Sequence, residues 1–228
     1  MAAPAPARYR ITFGKTEAMR FTGHLDLHRT WERTFRRAGL PLAYSEGFNP
    51  HPKINIGAAL PLGCLSRGDL IDAWLERELE PDEVAASLRG AAPPGIEIEA
   101  VTRLEATEPV LQGQIEASVY EVTLEGFPEP IEMSRRIEAM MASDHLPRVR
   151  RDKTYDLRPL VEALEFHPDR SLLRMRLSAR QGAVGRPEEV LLSLGLDPAR
   201  FVSTRVGLIL SDAACSPNTV SAPVDPPR

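Results

Sequence analysis

The chain has 228 residues, of which 43% are hydrophobic and 26% are charged, and its formal net charge is -4 at pH 7. These proportions are typical of a globular protein with a hydrophobic core, and the length suits one large domain or two domains of about 100 residues each. The negative net charge argues against a generally basic, nucleic-acid-coating protein, so any basic surface must be local.

The sequence carries no signal for export or membrane insertion. Its start, MAAPAPARYR, has no apolar run typical of a signal peptide, and no apolar stretch approaches the roughly 20 residues of a membrane span. Cys64 and Cys215 are far apart and form no C-x-x-C pair, which favours neither a disulfide framework nor a cysteine-ligated metal site. We therefore expect a cytoplasmic protein with no membrane partner.

Periodic patterns in the first half predict the element order β-α-β-β-α-β. The strand RYRITFGKT alternates polar and apolar side chains, and the next helix has Leu27, Trp31 and Phe35 on one stripe. Thr22 or Gly23 is expected to cap this helix. The remaining predicted elements are the strands KINIGAAL and GDLIDAWLEREL, the helix PDEVAASLRG and the strand IEIEAVTRL.

The second half repeats this order. Its predicted elements are the strand SVYEVTL, the helix IEMSRRIEAMMAS, the strands TYDLRPLVEALEFH and SLLRMRLSAR, the helix RPEEVLLSLG and the strand FVSTRVGLIL. The predicted fold class is therefore α+β, with two tandem ferredoxin-like (β-α-β-β-α-β) modules. The predicted divisions are a disordered start at 1–7, modules at 8–105 and 118–210, a linker at 106–117 and a disordered, proline-rich tail at 211–228.

Two basic clusters stand out in this acidic chain. The predicted first helix carries Arg29, Arg33, Arg36 and Arg37. The second cluster, RVRRDKTYDLR, contains Arg148, Arg150, Arg151, Lys153 and Arg158. Guanidinium groups favour bidentate recognition of phosphate or carboxylate, so both clusters indicate contact with a phosphate backbone. A solvated arginine face is the alternative, and aromatic residues for base stacking are few.

His24 and His28 are four residues apart, which places both on one helical face near Asp26. With His51 as a third ligand this spacing would suit a metal ion, but the glutamate of H-E-x-x-H is missing, so we assign no metal ligand. Packing at the helix start or contact with an anion is the alternative. No nucleophile elbow, phosphate-binding loop or dinucleotide-binding motif is present, so no catalytic residue is assigned.

The stretch GFNPHPKINIGAALPLG contains three prolines and three glycines. Pro50 and Pro52 favour extended geometry at the residues before them, which predicts a rigid loop that presents Asn49, His51 and Lys53 at the mouth of a strand. A loop shaped by packing alone is the alternative. Ser45 is close to His51 in sequence, but such a pairing is generic.

The strings GHLDL, RRAGLPLAYSEGFNPHPKI and ALPLG resemble the radical SAM-linked protein family, a domain of unknown function, and KTYDLRPLV and GRPEEVL resemble its second half. The likeness covers residues 8–210; FTGH stands where the family usually has serine before the histidine. Family members occur free-standing or as the C-terminal part of a radical SAM protein, and their genes often lie near those of ribonuclease E/G and ribosomal proteins. The resemblance implies a radical SAM partner that holds S-adenosylmethionine and an iron–sulfur cluster, while this chain, which lacks the cysteine triplet, binds no cofactor.

The predicted function is a non-catalytic accessory module that binds RNA, or another phosphate-bearing substrate, for a radical SAM enzyme. The predicted binding residues are His24, Asp26, His28, Arg29, Arg33, Arg36, Arg37, Ser45, Asn49, His51 and Lys53. One alternative is a metal-independent endoribonuclease that uses a histidine as general acid or base. The other is a protein-binding scaffold.

Overall fold

The computed structural model describes residues 5–124, 129–150 and 152–211. Within these residues the α-helices are α1 His24–Arg37, α2 Pro81–Ala91, α3 Leu111–Gln114, α4 Pro130–Ala142 and α5 Pro187–Ser193. The strands are β1 Ala7–Lys15, β2 Ile54–Ile56, β3 Leu65–Leu75, β4 Ile96–Leu104, β5 Ile115–Thr123, β6 Pro147–Arg150, β7 Lys153–Asp156, β8 Val161–His167, β9 Leu172–Arg180, β10 Ala183–Val184 and β11 Ser203–Leu210. The predicted α+β class is confirmed. None of the helices in these ranges is long and apolar enough to cross a bilayer.

One nine-stranded sheet extends through both halves of the chain. Its strands follow the order β10-β9-β5-β11-β3-β1-β4, with β2 also paired to β3 and β8 also paired to β9. Among the described strands of this sheet, all pairs are antiparallel except β11 with β3. That parallel pair joins Thr204 to Leu65 and Arg205 to Ser66, and so connects the strands of the two halves.

Each half has its own hydrophobic cluster between helices and sheet. In the first, Trp31 and Phe35 of α1 pack on β1, and the ring of Phe13 meets that of Trp31 edge-on at a centroid distance of 4.9 Å. The predicted stripe of Leu27, Trp31 and Phe35 is confirmed, since all three side chains are buried. The second cluster is formed by α4, α5 and the strands β5, β8 and β9. Each half therefore has its own core, and the two cores pack on one continuous sheet.

The bounds of several elements differ from the sequence-based expectations. Of the two expected caps of α1, the structure has Gly23, with no capping bond from a side chain. The single strand predicted for TYDLRPLVEALEFH is wrong, since β7 and β8 are separated there by a short 3-10 helix at Arg158–Leu160. Pro159 lies in that helix, and proline supplies no N–H to a strand ladder. The β6–β7 hairpin was not predicted.

Two further expectations concern the divisions of the chain. The stretch 106–117, predicted as a linker, contains α3 and the first residues of β5, and Leu111, Gln114 and Ile115 are buried there. Of the predicted disordered segments, residues 1–4 and 212–228 lie outside the described residues, whereas Ala7 already belongs to β1.

The close approach of β11 to β3 depends on Gly68. A Cβ at this position would lie 2.7 Å from the carbonyl oxygen of Val206 and 3.3 Å from the Cα of Gly207. Because these are backbone atoms of a paired strand, we expect Gly68→Ala to separate the strands and to lower the free energy of unfolding by about 2 kcal/mol. Urea-induced unfolding followed by circular dichroism measures the change.

Gly207→Ala is the matched control for this substitution. A Cβ at position 207 meets no atom within 4 Å beyond its chain neighbours, so its effect should stay within about 0.5 kcal/mol. Equal stability of the two variants would contradict the role assigned to Gly68.

Candidate functional site

The exposed side of α1 carries a row of guanidinium groups. Arg29 donates a hydrogen bond of 3.3 Å to Asp26, and Arg37 donates one of 2.9 Å to the carbonyl of Ala91. Arg33 and Arg36 are exposed, and within the described residues neither makes a hydrogen bond or an ion pair. Two guanidinium groups of this arginine face, defined as Arg29, Arg33, Arg36 and Arg37, are therefore available to a partner.

The histidines of α1 do not form a metal site with His51. His24 is the first residue of α1, and partial desolvation, together with the nearby His28 and Arg205, lowers the pKa of His24. The Nδ1 atom of His28 lies 3.2 Å from the carboxylate of Glu32. Within residues 5–124, 129–150 and 152–211, no three histidine, cysteine or acidic side chains are grouped closely enough to hold a metal ion.

The segment between α1 and β2 leaves the edge of the sheet as a narrow loop. The backbone N–H of Ser45 donates to the carbonyl of His51 at 2.8 Å, and the hydroxyl of Ser45 accepts from the N–H of His51 at 3.0 Å. The N–H of Lys53 donates to the carbonyl of Ala43 at 2.8 Å, which closes the neck of the loop. Asn49 lies in the exposed outer part. Ser45 therefore holds the loop closed.

A cleft of about 430 Å³ lies at the base of this loop. We call it the loop cleft; its polar and aromatic lining comes from Ser45, His51, Lys53, Asn55, Trp74 and Gln112. The guanidinium carbon of Arg8 lies 5.1 Å from the centroid of the Trp74 ring. The side-chain oxygen of Asn55 is buried without a hydrogen-bond partner. Such an unsatisfied buried acceptor is costly, so the oxygen has unused hydrogen-bonding capacity.

The predicted site divides between two surfaces. Ser45, His51 and Lys53 come together in the loop cleft, while the arginines of α1 are not part of its lining. Ile54 packs on the cluster that contains α1, and side chains alternate along a strand, so Lys53 and Asn55 lie on the other side of β2. The single surface that the sequence analysis assumed is therefore replaced by an arginine face and a separate cleft.

Sequence reasoning missed three residues of the loop cleft, namely Asn55, Trp74 and Gln112. Trp74 carries the clearest signal, because it alternates with the buried residues Ala73 and Leu75 and so falls on the opposite side of β3. Gln112 lies in the predicted linker, where no periodic pattern marks it.

The second basic cluster lies on and beside the β6–β7 hairpin, except that Arg151 is outside the described residues. Arg148 donates to the hydroxyl of Ser193, and Arg158 donates to the carbonyls of Met141 and Val161 at 3.2 and 2.8 Å. Two guanidinium groups are thus used inside the protein. Arg150 and Lys153 are opposite each other in the register of the β6 and β7 strands.

A buried ion pair lies where the two halves meet. Arg205 and Asp69 are each about 1% exposed, and Arg205 donates to both carboxylate oxygens at 2.6 and 2.8 Å. Arg205 also donates to the carbonyls of Ala58 at 2.9 Å and Ala59 at 3.1 Å. Burial opposes the charged guanidinium, but the carboxylate of Asp69 outweighs it and raises the pKa of Arg205. The pair is therefore charged and joins β11, β3 and the segment before β3.

Two further ionisable side chains are buried near this pair. Lys15 is 1% exposed and donates to the carbonyl of Thr22 at 3.2 Å; burial lowers the pKa of Lys15, and Asp69 partly offsets this. Burial raises the pKa of Cys64 to about 11, an effect that Glu188 reinforces. Cys64 is therefore a protonated thiol at neutral pH, unlike the thiolate of a catalytic cysteine.

These features define an α+β protein whose two halves share one mixed sheet, with its candidate binding groups on an arginine-bearing helix and in a cleft at a sheet edge. A family profile matches residues 8–187, and the chain belongs to that family, described as "uncharacterized protein conserved in bacteria (DUF2344)". No curated protein matches the chain. The predicted membership of a domain family of unknown function is confirmed, and the link to a radical SAM enzyme stays a prediction.

Asp69→Asn keeps the shape of the buried acceptor but leaves Arg205 without its counter-charge. We expect a loss of about 3–5 kcal/mol in the free energy of unfolding, because a buried charge becomes uncompensated. Denaturant titration measures it. Glu121→Gln is the control, since Glu121 pairs at 2.9 Å with the exposed Arg67, and its loss should cost less than about 1 kcal/mol. Similar losses in both variants would refute the assignment.

The thiol of Cys64 should be unreactive in the folded protein. Its pKa of about 11 lies about two units above the reference value of 9.0, so at pH 8 we expect alkylation about 100-fold slower than for the unfolded chain. The stabilising effect of the protonated thiol is present below about pH 9 and is lost as the pH rises toward 11. Iodoacetamide labelling of a Cys215→Ser variant, with and without urea, measures the rates; equal rates would contradict the burial of Cys64.

Proposed function

We propose that this protein is a non-catalytic accessory module that binds RNA, or another phosphate-bearing substrate, for a radical SAM enzyme. The observation that carries the proposal is the exposed pair Arg33 and Arg36, which have no partner among the described residues. Guanidinium groups bind phosphate oxygens through paired hydrogen bonds, and unpaired ones on a stable helix do not have to break a contact within the protein first. The partner enzyme, with its S-adenosylmethionine and iron–sulfur cluster, follows from the family resemblance.

The topology supports an arrangement of two ferredoxin-like modules. In the first half, β4-β1-β3-β2 are neighbours in the sheet and the chain runs β1-α1-β2-β3-α2-β4. In the second half, β11-β5-β9-β8 are neighbours, and β5, α4, β8, β9, α5 and β11 follow the same order, with the β6–β7 hairpin inserted after α4. Both sequences of elements match the split β-α-β arrangement.

The positions of the histidines favour binding over cleavage of RNA. A histidine-based ribonuclease needs an acid and a base on either side of one scissile phosphate. His51 lines the loop cleft, whereas His24 begins α1 and is not part of that lining. His28 lies near His24, but its Nδ1 atom is 3.2 Å from the carboxylate of Glu32, so this arrangement favours binding over cleavage.

An exposed apolar group favours protein binding as a second function. Phe21, Leu25 and Leu62 are largely exposed, and Phe21 lies within 3.8 Å of the position of a Cβ on Gly63. Arg20 holds this region together, because its guanidinium lies over the Phe21 ring at 5.2 Å and donates to the carbonyl of Gly63 at 2.9 Å. Phe21 thus lies beside Gly63, the neighbour of the exposed Leu62, and adjoining exposed apolar side chains are typical of protein-binding surfaces, which suits docking of the partner enzyme.

Replacing both Arg33 and Arg36 by Ala should weaken RNA binding and reduce its salt dependence. Two lost phosphate contacts should lower the slope of log K against log salt by about 1.4 for single-stranded RNA. Fluorescence anisotropy of labelled RNA at several salt concentrations measures this change.

The double variant Arg176→Ala/Arg180→Ala is the control for charge. It removes the same two positive charges, but these arginines already pair with Glu162 at 2.8 and 3.0 Å, so binding should change little. Wild-type binding without salt dependence would overturn the proposal, as would equal loss in the two double variants. The RNA should also keep its length on a denaturing gel; metal-free cleavage would refute the non-catalytic role.

A further inference from the structure

We propose that the loop cleft binds one unpaired nucleobase of a single-stranded RNA, stacked on Trp74 and hydrogen-bonded by the side-chain amides of Asn55 and Gln112. This inference deepens the proposed function and rests on it for the choice of RNA as the substrate. It assigns the cleft a ligand of definite chemistry, where the arginine face recognises only phosphate.

The size and lining of the cleft suit a flat polar ring. Its volume of about 430 Å³ falls within the range of about 300–1,000 Å³ typical of small-molecule sites. In nucleotide sites, an aromatic side chain stacks on the face of the base, side-chain amides hydrogen-bond to its edge, and a lysine contacts the phosphate. They occur here together in one open, shallow cleft.

Asn55 supplies the hydrogen-bonding argument. Its Oδ1 atom is closed to solvent and has no partner in the described residues, so a rotation of the Asn55 amide toward the cleft, followed by a hydrogen bond from a ligand, removes the cost of an unsatisfied acceptor. An amide offers an acceptor and donors side by side, which matches the adjacent donor and acceptor on a base edge. The Nε2 of Gln112 donates to the carbonyl of Ile56 at 3.2 Å, which holds the second amide in place.

Trp74 supplies the stacking surface. The Arg8 guanidinium covers the indole at 5.1 Å and is itself fixed by a 3.0 Å bond to the buried Asp72 and a 2.8 Å bond to the carbonyl of Pro109. This backing keeps the ring in place in the lining of the cleft. Stacking of a base on such a ring increases affinity by about 10-fold or more.

Lys53 and His51 complete the site at the loop. The side chain of Lys53 has no hydrogen bond or ion pair within the described residues, so its charge is available to the phosphate of the bound nucleotide. The closed neck of the loop fixes both residues beside the cleft. The backbone N–H of His51 donates a hydrogen bond to the hydroxyl of Ser45, and that of Lys53 donates to the carbonyl of Ala43.

Intrinsic fluorescence tests the proposal directly, because the chain has two tryptophans and Trp31 is buried in the core. Single-stranded RNA and the four nucleoside 5′-monophosphates should quench Trp74, whereas duplex RNA, whose bases are already stacked, should not. In the Trp74→Phe variant the quenching should disappear. Absence of quenching by all the single-stranded probes overturns the proposal.

Asn55→Ala should lower the affinity for single-stranded RNA about 10-fold and leave duplex binding unchanged, since a specific base contact is lost. Gln181→Ala is the matched control, because Gln181 carries the same kind of side-chain amide, is exposed and does not line the cleft. Thermal unfolding shows whether each variant is folded. Should Asn55→Ala fail to fold, Gln112→Ala provides the same comparison.

The two proposals fail in distinguishable ways. If Arg33→Ala/Arg36→Ala weakens binding of both RNA forms while Asn55→Ala and Gln112→Ala change neither, the arginine face stands and the cleft proposal is overturned. If mononucleotides quench Trp74 and Asn55→Ala reduces their affinity, the cleft proposal stands even when RNA binding proves independent of the arginines.

Discussion

The ion pair between Arg205 and Asp69 is the contact on which the union of the two halves depends. One guanidinium binds the carboxylate from β3 and the carbonyls of Ala58 and Ala59, while Arg205 itself belongs to β11. Three segments thus meet at a single buried charge. A buried charge is tolerated only when its partners are in place. The positions of β3, of β11 and of the segment before β3 therefore stabilise one another.

The proline- and glycine-rich stretch from Gly47 to Gly63 serves two purposes in this arrangement. Its first part forms the exposed loop and one wall of the loop cleft. Its second part is structural, since Ala58 and Ala59 bind Arg205 and Leu60 packs against the hydrophobic cluster of the second half. The two readings of this stretch, a presenting loop and a packed turn, therefore apply to different parts of it.

Local sequence patterns predicted most helices and strands well. They predicted poorly which distant segments lie next to one another in the fold. The strand β4 has the bounds read from IEIEAVTRL, and prolines begin α2, α4 and α5. These features depend on near neighbours in sequence. In contrast, two contacts join segments that are distant in sequence, namely the pairing of β11 with β3 and the packing of Arg8 on Trp74. Hydrophobic periodicity does not predict which distant segments come together. The placement of Lys53 and Asn55 on the side of β2 away from α1 was missed because alternation in β2 shows which side chains share a face but not which face α1 covers.

The distance along the chain between Asp69 and Arg205 bears on how the protein is made. Arg205 is the 136th residue that the ribosome adds after Asp69. Until Arg205 is added, the carboxylate of Asp69 in the amino-terminal half has no bidentate guanidinium partner. The nascent chain therefore lacks the ion pair that joins its two halves. Completion of the fold therefore waits until β11 has been synthesised, and contacts of such long sequence separation are slow to form.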